Sequence, residues 1–219
     1  VDLLETVALD AYFDPVSGRM MGLDGHRLAL PRKVAIAINL CRLLGELHSR
    51  RVYCVDFKPQ NVLVNRNSGI VTLVDCDSYS VVSGNGNYYP ASAPAKGHAA
   101  PEVLKNKGVS AELAEAQDRF ALAFGLFRIF NYGLSPFSGT LNKGWLEAAD
   151  EDGRVAAGYY PYGLHANPAI SPLPRSVHDC WPASLREMFD RAFRDARERP
   201  SAGEWEEVLR GLREKAKYV

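Results

Sequence analysis

The sequence predicts an α+β fold in which a few short strands lead into a helical body. Three observations predict it. The first 30 residues alternate and turn like a hairpin. Short β-rich runs flank the loop DFKPQ. Beyond Pro31, long stretches with helical apolar spacing occupy most of the chain.

Taken in order, VALDAYFD alternates and is rich in β-formers, DPVSG supplies a turn and RMMGL returns, so a β-hairpin is expected. Pro31 opens a helix, PRKVAIAINLCRLLGELHSR, whose apolar residues cover most of its circumference; such a helix belongs in the middle of a domain. VYCV and NVLVN read as strands on either side of DFKPQ. GIVTLVD reads as a third, entered through the turn NRNSG. From Ser78 to Ala99 the composition shifts to Ser, Gly, Asn, Tyr and Pro, and a long functional or mobile loop is expected. PEVLKN and SAELAEAQDRFALAFGLFRIFNYG are helical, as are LREMFDRAFRDA and SAGEWEEVLRGLREKAK. The Gly/Pro/Tyr-rich stretch GYYPYGLHANPAISPLP separates the two pairs.

Charge narrows the partners. The 26 Lys and Arg balance the 26 Asp and Glu, so neither nucleic acid nor an anionic membrane is called for. No apolar stretch approaches the roughly 20 residues of a membrane span. VDLLETVALD lacks the basic and apolar blocks of a signal peptide, and without an initiator Met the chain reads as processed or trimmed. Cys41, Cys54, Cys76 and Cys180 form no C-x-x-C pair and the five histidines show no ligand spacing. Reduced thiols in a cytoplasmic protein, without zinc, are expected.

The chemistry lies in two segments, YCVDFKPQNVLV and TLVDCDSY. Phosphoryl transfer needs a carboxylate at the acceptor hydroxyl, cations against the developing charge, and oxygen ligands for Mg²⁺. A turn presenting Asp56, Lys58 and Asn61 on one lip supplies base, cation and amide oxygen. Asp75, at the end of the next strand, supplies a metal carboxylate.

VDFKPQN resembles the catalytic loop of protein kinases, and LVDCD resembles their metal-binding D-F-G segment with two letters changed. Further matches follow in the kinase order: Ala100-Pro101-Glu102 as A-P-E, Asp118 as the buried aspartate opening the central helix, Pro136-Phe137 after that helix, and Arg199-Pro200 with the arginine that pairs with the A-P-E glutamate. The resemblance implies a protein kinase-like fold, mainly the helical C-terminal lobe over residues 31–219. Residues 1–30 would be the end of the small lobe and a shortened hinge. It implies a Ser/Thr-type protein kinase using ATP and Mg²⁺ on a protein substrate. Asp56 would be the base, Lys58 the γ-phosphate contact, and Asn61 and Asp75 the Mg²⁺ ligands; Asp118 and the pair Glu102–Arg199 would be structural. VTLVDCDSYSV is similar to the I-D-x-D-S-[FY] segment of bacterial kinase-like proteins encoded beside phosphatase and von Willebrand-type genes, which implies a protein of one of those kinds as partner.

The sequence also departs from that pattern. Val55 replaces the arginine that would meet an activation-loop phosphate, so control by phosphorylation there is not expected. Cys54 and Cys76 stand at two interior spine positions, where two packed, reduced thiols are expected to face each other; a redox-gated spine is the sharper alternative. Asp77 replaces the glycine of D-F-G and either joins the metal site or caps the turn. The glycine-rich loop, strand lysine and helix glutamate of a small lobe have no counterpart, since SGNGNYY falls after the metal segment and VAIA falls on a helix. The chain alone is therefore expected to transfer phosphate weakly or not at all. A pseudokinase or nucleotide-binding scaffold is one alternative, against which the intact Asp56, Lys58, Asn61 and Asp75 count. A small-molecule kinase of the aminoglycoside or choline type is another, against which Lys58, A-P-E and Arg199 count.

Overall fold

The computed structural model describes residues 5–13, 29–91, 94, 97–106, 108–145 and 150–215. The helix expected at Pro31 forms as α1, Leu30–Ser49, with the proline in its first turn, where a missing N–H costs nothing. Val34, Ile36, Ala37, Ile38, Leu40, Cys41 and Leu44 are all buried, as an all-round apolar helix requires.

After α1 come β2 (Val52–Tyr53), β3 (Val62–Asn65) and β4 (Val71–Leu73). Strands β3 and β4 form an antiparallel hairpin around NRNSG, with Val62 opposite Leu73. Asn65 Oδ1 accepts from the backbone N–H groups of Asn67 (3.0 Å) and Ser68 (2.8 Å), the side-chain mimic of a backbone turn. Arg32, from the first turn of α1, donates to the carbonyls of Asn65 (3.0 Å) and Asn67 (2.7 Å) and locks the hairpin to the helix.

The first arm of the expected N-terminal hairpin is a strand only in part. The strand β1, Thr6–Ala8, pairs antiparallel with β3, Val7 opposite Val64, and the chain then tightens into a 3₁₀ turn over Leu9–Tyr12. The free edge of β3 satisfies the backbone of β1, and Leu9, Ala11 and Tyr12 are buried instead of alternating. DPVSG and RMMGL lie outside the described residues.

A second difference concerns the expected long loop. Within it, β5 (Ser80–Val82) and β6 (Tyr88–Tyr89) form a hairpin, and β5 also pairs with β2, giving the order β2-β5-β6. Its turn is closed by mutual backbone bonds of 2.9 Å, Ser83 N to Asn87 O and Gly86 N to Ser83 O. Gly86 supplies the left-handed φ of +86°. Tyr53, Val55 and Ala114 form a small buried cluster beneath this sheet, against which Val82, Ala91 and Val109 pack.

The helical body follows: α2 (Pro101–Asn106), α3 (Ala111–Phe130), α4 (Glu151–Ala156), α5 (Ala183–Arg194) and α6 (Ala202–Lys215). Helix α3 is the axis of the core, with Phe120, Leu122, Phe124, Leu126, Phe127 and Phe130 all buried. α1 packs along α6 and against α3, and α5 packs on α3. The short pair β7 (Thr140–Leu141) and β8 (Ile170–Ser171) closes the far side. Among the described residues no helix is long and apolar enough to cross a membrane. The mixed α+β class is therefore as the sequence predicts, with small antiparallel sheets beside a helical core.

His178 lies in an aromatic cage of Phe127, Tyr162 and Phe189 and is 1% exposed. Burial lowers its pKa from near 6.5 to about 4. Below pH 6.5 the unfolded chain takes up a proton that the folded chain refuses, so this contribution to stability is complete above pH 6.5 and lost as pH falls toward 4. The loss is on the order of 3 kcal/mol. Urea titrations at pH 7 and pH 4.5 are expected to show a steeper fall in wild type than in His178→Leu; equal falls would count against a neutral, caged imidazole.

Candidate functional site

The Asp56 loop is held from below by α3. Asp118 is completely buried and accepts from the backbone N–H groups of Cys54 (2.8 Å) and Val55 (2.7 Å). His48, at the end of α1, completes the set: its Nε2 donates to Asp118 Oδ2 at 3.0 Å. Burial pushes the Asp118 carboxyl up, while His48 and the two N–H groups pull it down. Gln117 supports the same loop, accepting from Ala100 N (2.8 Å) and donating to the carbonyls of His98 (2.9 Å) and Val55 (3.3 Å). Phe57 fixes the other side, packed in the core 3.7 Å from where a side chain at Gly125 of α3 would begin.

These supports hold an unusual backbone. Val55 has φ +57° and Asp75 φ +65°, both left-handed and neither glycine. For a β-branched residue this conformation is a true outlier, costing roughly 1–3 kcal/mol, and it persists only where the surroundings over-determine it. Both outliers adjoin or belong to the four residues singled out by chemistry.

Those four residues come together. Lys58 Nζ contacts Asp56 Oδ2, and Asp56 is 8% exposed. A 3₁₀ turn over Pro59–Asn61 brings the Asn61 amide back, and its Nδ2 donates to Asp56 O at 3.2 Å and to Asp75 Oδ2 at 3.4 Å. Val74 N donates to Asn61 O at 3.0 Å, so the backbone itself joins the loop to the strand end that carries Asp75. Carboxylate, ammonium, amide and second carboxylate share one lip, with Asp75 open to solvent.

Asp77 lies exposed on the 3₁₀ turn Cys76–Ser78. Among the described residues no group of three His, Cys, Asp or Glu gathers as a metal cluster. The pair Glu102–Arg199 forms as expected: Arg199 donates to Glu102 at 2.5 and 3.3 Å, and to the carbonyls of Ala116 (2.8 Å) and Ala192 (3.1 Å). Arg199 is 4% exposed, so this pair welds α2 to α3 and α5.

The expected meeting of Cys54 and Cys76 does not occur in a shared interior. Cys54 is buried and Cys76 exposed, both as free thiols. The left-handed turn at Asp75 swings Cys76 outward, and Tyr79 returns to pack against the core that holds Cys54. Burial pushes the Cys54 thiol up, which leaves it protonated and inert.

Sequence reasoning did not find His48, Gln117 or Tyr79. His48 and Asp118 are 70 residues apart, and no spacing rule joins them. No protein-family model matches the chain, and no curated protein matches it.

Proposed function

We propose that this chain is the C-terminal lobe of a Mg²⁺- and ATP-dependent phosphotransferase of the protein kinase type, acting on a protein hydroxyl. The observation that carries the proposal is the shared lip of Asp56, Lys58, Asn61 and Asp75, with Asn61 bridging the first carboxylate's backbone to the second carboxylate's oxygen.

The donor set fits the ion. Mg²⁺ takes one or two protein oxygens and completes its shell with water and phosphate oxygens, and Asp75 with Asn61, its amide turned to present Oδ1, offers that number. Bound Mg-ATP would supply the phosphoryl group and its charge compensation. The chain's own residues do the rest. Asp56 accepts the proton of the acceptor hydroxyl and orients it. Lys58, already in contact with Asp56, brings positive charge to that spot. Asp118, His48 and Gln117 fix the loop backbone, so that no reorganisation is needed when charge develops.

The test is thermal unfolding of the full-length protein with ATP plus Mg²⁺ and with ATP alone. Binding to the folded state stabilises by mass action, about 2.7 kcal/mol at a hundredfold excess over Kd. A metal-dependent rise in Tm that Asp75→Ala abolishes is expected. A rise that ignores both Mg²⁺ and Asp75, or no rise, rejects the assignment.

A further inference from the structure

Gln117 occupies a place on α3 where packing asks for no polar group. It is completely buried, and its neighbours one turn away on the same face, Ala114 and Ala121, are apolar and buried as well. Burying a primary amide is unfavourable unless its hydrogen bonds are remade, so an apolar residue would fill the space at least as well. Gln117 remakes them with backbone from two separate parts of the chain. Its Nε2 donates to Val55 O (3.3 Å), in the loop that carries Asp56, and to His98 O (2.9 Å). Its Oε1 accepts from Ala100 N (2.8 Å).

Val55 is where this join acts. Its N–H is held by Asp118 and its C=O by Gln117, on either side of the left-handed φ of +57°, and Asp56 follows directly. The other end of the same segment arrives at the same place. β5 pairs with β2, Ser80 opposite Tyr53, and Val82 and Ala91 pack on the cluster that contains Tyr53 and Val55. The chain from Ser80 to Ala100 is therefore tied at both ends to residues just ahead of Asp56. Its exit has one more anchor. Gly97 N donates to Asp152 Oδ1 on α4 at 2.8 Å, one residue before the carbonyl that Gln117 takes. Asp152, Gly97, His98, Gln117 and Val55 form a continuous line from α4 to the Asp56 loop.

We propose that Gln117 is a positioning residue that couples segment 80–100 to the Asp56 loop, so that Val55 keeps its strained conformation only while the segment is docked. Such a conformation lasts only where several contacts over-determine it, and contacts within one hydrogen-bonded network act together rather than additively. Undocking of the exit releases Val55 O, and with it the placement of Asp56. The consequence for phosphoryl transfer rests on the function proposed above; the coupling itself does not.

The experiment is hydrogen exchange at the backbone amides of Cys54 and Val55 in the full-length protein, read by NMR, in a double-mutant cycle of Asp152→Ala and Gln117→Met. Neither substitution removes the bonds that these two amides make with Asp118. Asp152 is half-buried and lies outside the Asp56 loop and its supports. Asp152→Ala is expected to speed exchange at both amides about tenfold in wild type, and hardly at all in Gln117→Met, where the line is already cut. No acceleration by Asp152→Ala in wild type overturns the proposal, and that arm needs no Gln117 variant to fold. Equal acceleration in both backgrounds overturns it too, because the coupling then runs by another route. In single-turnover assays at saturating Mg-ATP, Gln117→Met is expected to slow transfer about tenfold with nucleotide affinity kept, and unchanged transfer overturns the positioning role. Absence of transfer by wild type rejects the phosphotransferase reading, and the exchange rates then decide the coupling by themselves.

Discussion

Asp118→Ala is expected to lower the unfolding free energy by about 3–5 kcal/mol, a large share of what a domain of this size has. The carboxylate is fully buried and serves three donors: Cys54 N, Val55 N and His48 Nε2. Truncation leaves two backbone N–H groups and an imidazole unpaired in a dry interior, each deficit costing about 1–3 kcal/mol before relaxation. It also removes what holds Val55 at φ +57°, so the loop is free to relax to ordinary geometry and carry Asp56 off the lip. Asp118→Asn keeps one acceptor oxygen and is expected to cost less. Denaturant titrations of both variants check this. A midpoint for Asp118→Ala within error of wild type would mean that the loop is held by something else.

How far this arrangement is legible in the sequence depends on the range of the forces involved. Helices α1 and α3 are written in local apolar spacing, and burial of Ile36, Leu40 and Leu44, or of Phe120, Phe124 and Phe127, follows from it. The chemistry of Asp56, Lys58, Asn61 and Asp75 is legible too, because a six-residue turn and one strand end suffice to gather it. The hairpin β5–β6 is hidden by its residues. Ser83, Gly84, Asn85, Gly86 and Asn87 are the composition of any loop, and only the pairing of β5 with β2, nearly thirty residues earlier, makes its strands worthwhile. The pairing of β1 with β3 is hidden for the same reason: the adjacent turn signal DPVSG points to a local hairpin, while β3 lies more than fifty residues away. Cys76 leaves the place expected beside Cys54 through one backbone angle, the left-handed φ at Asp75, which no side-chain pattern announces.

The second large effect is catalytic. Asp56→Asn keeps the size of the side chain and its place beside Lys58, and removes the negative charge and the proton acceptor. If Asp56 orients and deprotonates the acceptor hydroxyl, phosphoryl transfer falls by roughly 100- to 10,000-fold, the usual range for one positioned acid–base group. Nucleotide binding is expected to change little, because Asn61 and Asp75, the proposed metal ligands, remain and Asp118 still holds the backbone. A loss in transfer with binding kept is the signature of a residue acting in the transition state. The most direct measurement is single-turnover transfer from γ-labelled Mg-ATP to a Ser/Thr peptide mixture, by the full-length protein and its Asp56→Asn variant at matched nucleotide saturation. Transfer by wild type and its near-complete loss in the variant are expected. Equal rates in the two, or no transfer by wild type while Mg-ATP is bound, would contradict the proposed function.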